Sequence, residues 1–321
     1  MAPDERLPGP PTLADLGEFA VIDEVVRGRR QPPVVTVGPG DDGAVLRAPD
    51  GNVVVSVDML VEGRHFRLDW STPHDVGRKA VAQNAADIEA MGAVASGFVV
   101  GFAAPADTPA ESAVALADGL WAEAGSIGAG IVGGDMVSAP QWVVSVTVLG
   151  DLAGRRPVRR GGARPGDLVA VVGDLGTSAA GYALWCAGVD RFERLRRAHL
   201  VPRPPYGQGR VAADAGATAM TDVSDGLLAD LGHLAAASGC TVEVTRDLLR
   251  DDQGALLDAA AAVGADAWQW VLGGGEEHAL VATFRGDPPR GWRVIGRVVA
   301  GAPQVLVDGR DWTGERGWQS Y

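Results

Sequence analysis

The sequence predicts an α/β protein of two domains. Its 321 residues exceed the usual size of a single domain, and short apolar runs alternate with amphipathic helical segments in both halves. Residues 151–166 carry five arginines, two prolines and four glycines, a composition typical of a connection between domains. We therefore predict an N-terminal α/β domain over residues 1–150 and a C-terminal α/β domain over residues 151–321.

Local signals place the elements of the first half. Thr12 can cap a helix that runs to about Val26, and Thr72-Pro73 begins another that ends at Met91, before Gly92. Thr108 to Glu111 has the pattern of a capping box and predicts a third helix, to about residue 124. Strands are predicted at 34–37, 44–46, 52–60, 96–102 and 142–149, with a glycine-rich turn at 130–135.

The second half repeats this alternation of strands and helices. Predicted strands lie at 168–172, 218–223, 241–244, 279–284, 293–299 and 304–307. Predicted helices lie at 177–187, 192–198, 224–237 and around 252–263.

Composition excludes several classes of function. A net charge of −13 disfavours nucleic acids and anionic membranes, and a bound phosphate would need metal ions or local arginines beside it. Lys79 is the only lysine, which excludes a Walker P-loop. Cys186 and Cys240 form no Cys-x-x-Cys pair, the start of the chain lacks the apolar core of a signal peptide, and no run reaches the ~20 apolar residues of a membrane span. We expect a cytoplasmic protein.

The segment 37–45 is a glycine-rich turn that contains two adjacent carboxylates, Asp41 and Asp42. Its glycines allow close approach of another group to the backbone, and two neighbouring like charges favour either solvent or a bound cation. A solvated Asp-Gly turn is the simpler interpretation of this segment alone.

Further acids recur where predicted strands end and helices begin: Asp42, Asp58, Asp87, Asp135, Asp222 and Asp225. Ligand sites of α/β sheets lie beyond strand ends, so these carboxylates can converge, and such a set of hard oxygen ligands suits Mg²⁺. On the helix 73–91, Lys79, Gln83 and Asp87 are spaced by four and form a polar line along one face. Each acid taken singly is as well explained by helix capping or turn formation.

Two segments and one arginine add possible phosphate contacts. The segment 221–226 could offer the free N–H groups of a helix N-terminus, although Ser224 or Asp225 could simply cap that helix. Gly134 and Asp135 could place backbone and carboxylate beside a phosphate and its metal, or form an ordinary turn. Arg160 could neutralise phosphate, although a solvated arginine is the simpler interpretation.

The whole pattern resembles the thiamine-monophosphate kinase family, in the superfamily that includes aminoimidazole ribonucleotide synthetase. The matching motifs are GPGDDGAVL (38–46), SVDMLVEGRHF (56–66), KAVAQNAADIEAMGA (79–93), GGDM (133–136), GDLGTSAAG (173–181), TDVSDGLLADLGHLAAASG (221–239), LGGGEEHAL (272–280), VIGRV (294–298) and GERGW (314–318). They occur in order over nearly the full chain.

The resemblance implies a fold, a reaction and a set of residue roles. The fold is the two-domain aminoimidazole ribonucleotide synthetase-like α/β fold, with N-terminal domains pairing across a homodimer. The implied reaction transfers the γ-phosphate of ATP to thiamine monophosphate, with several Mg²⁺ ions. The implied metal ligands are Asp42, Ser56, Val57, Asp58, Asp87, Asp135, Asp222 and Asp225, of which Asp42, Asp58, Asp87 and Asp222 are catalytic. The implied nucleotide contacts are Gly134, Arg160 and Ser224, and the implied thiamine monophosphate contacts are His65, Glu276 and Trp318.

Chemistry agrees with this assignment. Phosphoryl transfer is mostly positioning and charge neutralisation, and an ionised phosphate acceptor needs no strong general base. A thiazolium cation finds its best aromatic partner in an indole such as that of Trp318.

The chain departs from the family pattern at four places. Val57 replaces a Thr and could bind a metal only through its carbonyl, Ala279 replaces a glutamate, segment 201–205 has lost an arginine-proline pattern, and Glu89 adds an acid near Asp87. The alternatives are a superfamily enzyme with another acceptor and a nucleotide-binding protein without catalysis. The complete set of aspartates argues against the second.

Overall fold

The computed structural model describes residues 11–16, 18–37 and 44–318. The N-terminal part opens with α1 (Leu13–Leu16) and α2 (Glu18–Val26), followed by the antiparallel pair β1 (Val35–Val37) and β2 (Val45–Leu46). Its main elements are β3 (Val54–Val61), α3 (Pro73–Ala90), β4 (Val94–Ala104), α4 (Ala110–Ser126), β5 (Gly130–Ser138) and β6 (Val143–Asp151).

The N-terminal sheet has the strand order β3-β6-β4-β5, with β4 and β5 parallel and the other pairs antiparallel. Helices α3 and α4 pack closely, because each presents a glycine where the other helix passes. A Cβ atom at Gly77 would lie 2.2 Å from the carbonyl oxygen of Leu116, and one at Gly119 would lie 2.0 Å from that of His74. Any larger residue at either position would push the two helices apart.

The C-terminal part alternates strands with helices. Its elements are β7 (Leu168–Val172), α5 (Thr177–Cys186), α6 (Glu193–Leu200), α7 (Gln208–Asp214), β8 (Ala219–Asp222), α8 (Leu227–Ser238), β9 (Thr241–Val244), a 3₁₀ helix (Arg246–Leu249), α9 (Arg250–Gly254), α10 (Leu257–Val263), α11 (Ala267–Gly273), β10 (Leu280–Phe284), β11 (Arg293–Val299) and β12 (Gln304–Val307). The strands form one mixed sheet in the order β12-β9-β11-β7-β10-β8. Among the described residues of this C-terminal sheet, only the β12–β9 pair is parallel.

Each sheet has its own hydrophobic core, and a third apolar cluster joins the two parts. Ala90, at the end of α3, shares that cluster with Ala212 of α7 and Met220 of β8. Beside it, the buried carboxylate of Glu89 accepts hydrogen bonds from the backbone N–H groups of Gly207 and Gly209, both at 2.8 Å. Glu89 therefore binds the N-terminal end of α7, and α3 packs against both parts of the chain.

Most predicted elements are confirmed, four local interpretations were wrong, and two helices were not predicted. The predicted turn at 130–135 belongs to β5, where a Cβ atom at Gly134 would lie 2.2 Å from the carbonyl oxygen of Val100, so glycine serves close strand approach. The capping box at Thr108 does not form, since Pro109 is the N-cap of α4 and no side chain caps that helix. The helix predicted from Ser224 begins at Leu227, the helix around 252–263 is two helices, and α7 and α11 were not predicted.

Within the described part of the chain, no helix combines the length and apolar character needed to cross a membrane.

Candidate active site between the two sheets

Helix α3 is the axis of the candidate site. Its start is fixed locally: Thr72 and Asp75 form a capping box, with Pro73 in the first turn. The polar line of Lys79, Gln83 and Asp87 runs along this largely buried helix towards the C-terminal sheet. Eight residues of α-helix span about 12 Å, which is the distance along the axis between the two ends of the line.

At the Asp87 end of the line, Asp58, Asp87 and Asp222 lie close enough for their charges to act on one another, and we call these three residues the acid cluster. Asp58 lies on β3, and its backbone N–H donates to the side chain of Asn84 on α3 at 3.1 Å. Asp222 ends β8 in the C-terminal sheet. Ser56 of β3 donates its hydroxyl to Asp87 at 2.6 Å. The two parts of the chain thus contribute acids to one place.

Burial and mutual repulsion dominate the acid cluster. Burial raises the pKa of Asp87 to about 7, and the charges of Asp222 and Asp58 act in the same direction. Burial also raises the pKa of Asp58, with Asp222 adding to the effect and His278 opposing it. Three carboxylates whose charges repel one another favour a bound proton or cation.

His278 lies against the acid cluster and was not predicted. Its buried ring nitrogen Nδ1 is 3.0 Å from Oδ2 of Asp222. Burial alone would lower the pKa of His278, but the hydrogen bond and charge of Asp222 outweigh it and raise that pKa. The loop that carries it is strained, since Glu276 (φ 65°) and His278 (φ 56°) both adopt the left-handed conformation. Backbone hydrogen bonds from these two residues to the carbonyls of Ser224 and Val223 hold that conformation.

At the opposite end of the polar line, Lys79 is 1% exposed and pairs with Glu276 at 3.2 Å. Its ammonium also donates to the backbone carbonyls of His65, at 2.9 Å, and His199, at 3.4 Å. Burial alone would raise the pKa of Glu276, but the charges of Lys79 and His199 outweigh it and lower that pKa. The resulting carboxylate is a fixed negative charge whose side chain is still 34% exposed.

The segment 224–226 does not offer free N–H groups, contrary to the expectation for a helix start. The backbone N–H groups of Ser224, Asp225 and Gly226 all donate to Oδ2 of the buried Asp230, at 3.0, 3.1 and 3.1 Å. Asp230 is the acid in the first turn of α8, so it binds the loop from within the helix. It fixes the position of Ser224 and Asp225 and leaves their side chains to meet a ligand.

Two further predicted residues, Arg160 and Trp318, lie near the segment that carries Asp222 and Asp225. Nε of Arg160 is 3.3 Å from the hydroxyl of Thr221, next to Asp222. The backbone N–H of Trp318 donates to the carbonyl of Asp225 at 2.9 Å, and its indole is 61% exposed. The guanidinium of Arg64 lies 5.8 Å from the centre of that ring.

Asp135 is not near the acid cluster within one chain. The register aligns Asp58, Val146, Val100 and Gly134 across the sheet, so Gly134 lies three strands from Asp58, about 14 Å away. Asp135 belongs to the next row, with Met59, and is exposed on the face opposite to α3. Val57 also points to that outer face, because side chains alternate along β3.

Asp41 and Asp42 lie outside the described residues. The residues that the sequence missed, His278, Asp230 and the Lys79–Glu276 pair, share one property. Each has one member in the loop 273–278 or in the first turn of α8.

Comparisons with known proteins identify the family and the fold. Family models for the N-terminal and C-terminal domains of AIR synthase related proteins match residues 40–152 and 164–308. The chain is 66% identical to the thiamine-monophosphate kinase of Mycobacterium tuberculosis over 97% of this chain and 93% of the relative. The chain belongs to the thiamine-monophosphate kinase family. The corresponding enzyme of Corynebacterium glutamicum is 44% identical over 99% of this chain and 97% of its own.

Among solved structures, AaThiL complexed with AMPPCP and TMP aligns with a TM-score of 0.77 and 28% identity, over 100% of both chains. The predicted family and the predicted two-domain α/β fold are therefore confirmed.

Proposed function

We propose that this protein transfers the γ-phosphate of ATP to thiamine monophosphate, giving thiamine diphosphate and ADP. Family membership supports the reaction, and the observation that carries it to this chain is the acid cluster. Phosphoryl transfer requires concentrated positive charge between two anionic phosphates, and a site with excess carboxylates is suited to bind that charge.

The donor set fits Mg²⁺. Asp58, Asp87 and Asp222 offer hard oxygen ligands. Burial raises the pKa of Asp87 to about 7, and the charges of Asp222 and Asp58 add a repulsion that a divalent cation would relieve. Ser56, Asp225 and Asp42 are proposed as additional ligands. Bound Mg²⁺ would supply charge neutralisation and alignment of the phosphate oxygens.

The chain's own residues hold the reactants in line. Arg160 and Ser224 are proposed to contact the nucleotide, with Asp230 keeping the Ser224 loop in place. His278 orients the Asp222 carboxylate through its hydrogen bond. The acceptor is a phosphate with a second pKa near ~6, so it attacks as a dianion and no residue needs to remove its proton. We propose direct in-line transfer.

The Lys79 end is proposed to bind the organic part of the acceptor. Glu276 supplies a fixed negative charge for the thiazolium, with His65 beside it and Trp318 at the exposed rim. A phosphate at Asp87 and a cation at Glu276 place the acceptor along the polar line. Its length of about 12 Å suits a phosphate ester with an extended ring system.

We further propose a homodimer formed through the outer face of the N-terminal sheet. That face is apolar and exposed, with the side chains Val55, Val57, Met59, Val99 and Val137. An apolar patch of this kind is typical of a protein interface. Strands β3 and β5 are the edges of the sheet among the described residues, so a symmetric partner can bring its β5 beside β3.

This arrangement would explain how Gly134 and Asp135 can contribute to an active site although they lie far from Asp58 in their own chain. They lie three strands from Asp58 in their own chain, whereas β5 of a partner subunit could lie directly beside β3. We therefore propose that each site takes Asp58 from one chain, and Gly134 and Asp135 from the other. We also propose that the N-terminal domain ends at residue 150 and that the C-terminal domain begins at residue 151.

The reaction is tested by incubating the protein with Mg²⁺, ATP and thiamine monophosphate, and separating the products by chromatography. We expect ADP and thiamine diphosphate in equal amounts, and no product with thiamine as acceptor. Asp58→Asn should reduce turnover by at least 100-fold while the protein stays folded, on the order expected for loss of a metal ligand. Absence of thiamine diphosphate with the wild-type protein would exclude the function.

The shared site is tested by mixing two inactive variants, Asp58→Asn and Asp135→Ala. If each site uses both chains, a mixed dimer holds one intact site, and random pairing returns about one quarter of wild-type activity. If each site lies within one chain, mixing restores nothing. Unfolding and refolding the variants together ensures exchange of subunits, and separately refolded variants are the control.

A further inference from the structure

Four aromatic rings form a cluster where the two parts of the chain meet, beyond the Lys79 end of the polar line. Trp70 stacks on Trp185 with ring centres 5.6 Å apart and meets Tyr182 edge to face at 6.0 Å. The ring of Tyr182 lies 5.3 Å from that of His199. We call Trp70, Tyr182, Trp185 and His199 the aromatic cluster.

Arginines already lie over the tryptophan rings near the site. The guanidinium of Arg67 is 4.6 Å from the centre of the Trp70 ring, and that of Arg196 is 3.7 Å from Trp185. Arg64 is similarly placed over Trp318. These cation–π contacts occupy ring faces that a cationic ligand would use.

Tyr182 differs from these tryptophans. Its side chain is 53% exposed, and in the described ranges no arginine or lysine lies over its ring. It stands on α5, where its ring packs against those of Trp70 and His199. The ring is therefore held by its neighbours while about half of the residue stays exposed.

The ring of Tyr182 lies close to the negative charge proposed for the acceptor. His199 bridges the two, with Nδ1 3.4 Å from Oε2 of Glu276 and its ring against that of Tyr182. The polar line and Glu276 set a direction from phosphate to cation, and the aromatic cluster lies next along that direction. A positively charged aromatic ring beside Glu276 would meet Tyr182.

We propose that Tyr182 supplies the aromatic face that binds the positively charged ring of the acceptor, with Glu276 as its counter-charge. The inference rests on the proposed function and adds a specificity residue to it. Tyr182 would distinguish cationic from neutral acceptors of the same shape, because the ring quadrupole attracts a cation and not a neutral heterocycle. Trp318 would then act at the rim of the site.

The test measures dissociation constants by calorimetry for thiamine monophosphate and for an analogue of the same shape in which a neutral thiophene ring replaces the thiazolium. The variants are Tyr182→Phe, which keeps the ring face, and Tyr182→Leu, which keeps apolar bulk without it. The selectivity ratio is the Kd of the neutral analogue divided by the Kd of thiamine monophosphate. We expect this ratio to fall about 5- to 20-fold in Tyr182→Leu and to stay within about twofold of the wild type in Tyr182→Phe. The ratio does not depend on the fraction of folded protein.

Trp185→Leu is the matched control, since it removes another ring from α5 whose face is already covered by Arg196. Its ratio should equal that of the wild type. An unchanged ratio in Tyr182→Leu, or an equal fall in Trp185→Leu, would overturn the inference. Failure of the proposed function is a separate result, because it appears as absence of thiamine diphosphate with the wild-type protein.

Discussion

Replacing Asp87 by asparagine should stabilise the metal-free protein at pH 8 while abolishing its activity. Burial raises the pKa of Asp87 to about 7, and Asp222 and Asp58 add to the effect. The carboxyl of an unfolded chain ionises near pH 4. Between about pH 4 and 7 the folded protein therefore keeps a proton that the unfolded chain has lost, and stability falls as the pH rises through that window.

The difference between the folded and unfolded pKa corresponds to at most about 4 kcal/mol at pH 8. Asp87 shares this repulsion with Asp58 and Asp222, whose side chains can adjust, so we expect about 1–3 kcal/mol. Asparagine cannot ionise, so Asp87→Asn should gain that amount at pH 8 and about a third of it at pH 5. For a chain of this size the gain corresponds to a Tm higher by about 2–6 °C.

The assay is thermal unfolding of wild type and Asp87→Asn in chelator at pH 5 and pH 8, repeated with Mg²⁺. Saturation at 100 times the Kd should stabilise the wild type by about 2.7 kcal/mol, and the variant should gain far less. A variant that is less stable than the wild type by the same amount at both pH values would refute the reasoning. Asp87 would then act as a hydrogen-bond partner of Ser56 and not as a repelled charge.

Three further substitutions probe the supports of the site. Lys79→Met should lower the free energy of unfolding in urea by about 2–4 kcal/mol, because Glu276 and two backbone carbonyls lose the ammonium group that pairs with them. Adding Glu276→Gln to this variant should recover part of the loss. Asp230→Ala should raise the KM for ATP several-fold more than that for thiamine monophosphate, since it releases the loop of Ser224; equal changes would count against this role. Glu89→Ala should cost about 1–3 kcal/mol in the same denaturation assay without changing either KM, because it frees only the amides at the start of α7.

The sequence predicted the elements whose signals are local. The capping box at Thr72, the proline at Pro73 and the glycine after Met91 define α3 within its own residues, and the structure matches them within one residue. The acid cluster was predictable because each acid ends or faces a regular element. The glycines at 133–134 misled the prediction, since glycine allows a close strand approach as readily as a turn.

The interactions that the sequence did not predict join distant segments. The Lys79–Glu276 pair spans almost 200 residues, and nothing near either residue indicates the other. Glu89 was read as an extra acid of the site, whereas the structure directs it to the amides of Gly207 and Gly209. Asp230 could have been found, because an acid in the first turn of a helix is suited to accept from amides that precede it.

Helix α3 explains why the site requires both parts of the chain. Its polar line presents Asp87 and Lys79 at opposite ends, and among the described residues the N-terminal sheet supplies Asp58 as a neighbouring acid. Asp222, His278 and Glu276 arrive when the C-terminal sheet packs on the same helix, through the cluster around Ala90. Packing therefore brings a third carboxylate towards two others at one end and balances the buried ammonium at the other. We propose that a bound cation would offset the repulsion at the first end, so that packing of the two parts would create an affinity for a metal ion.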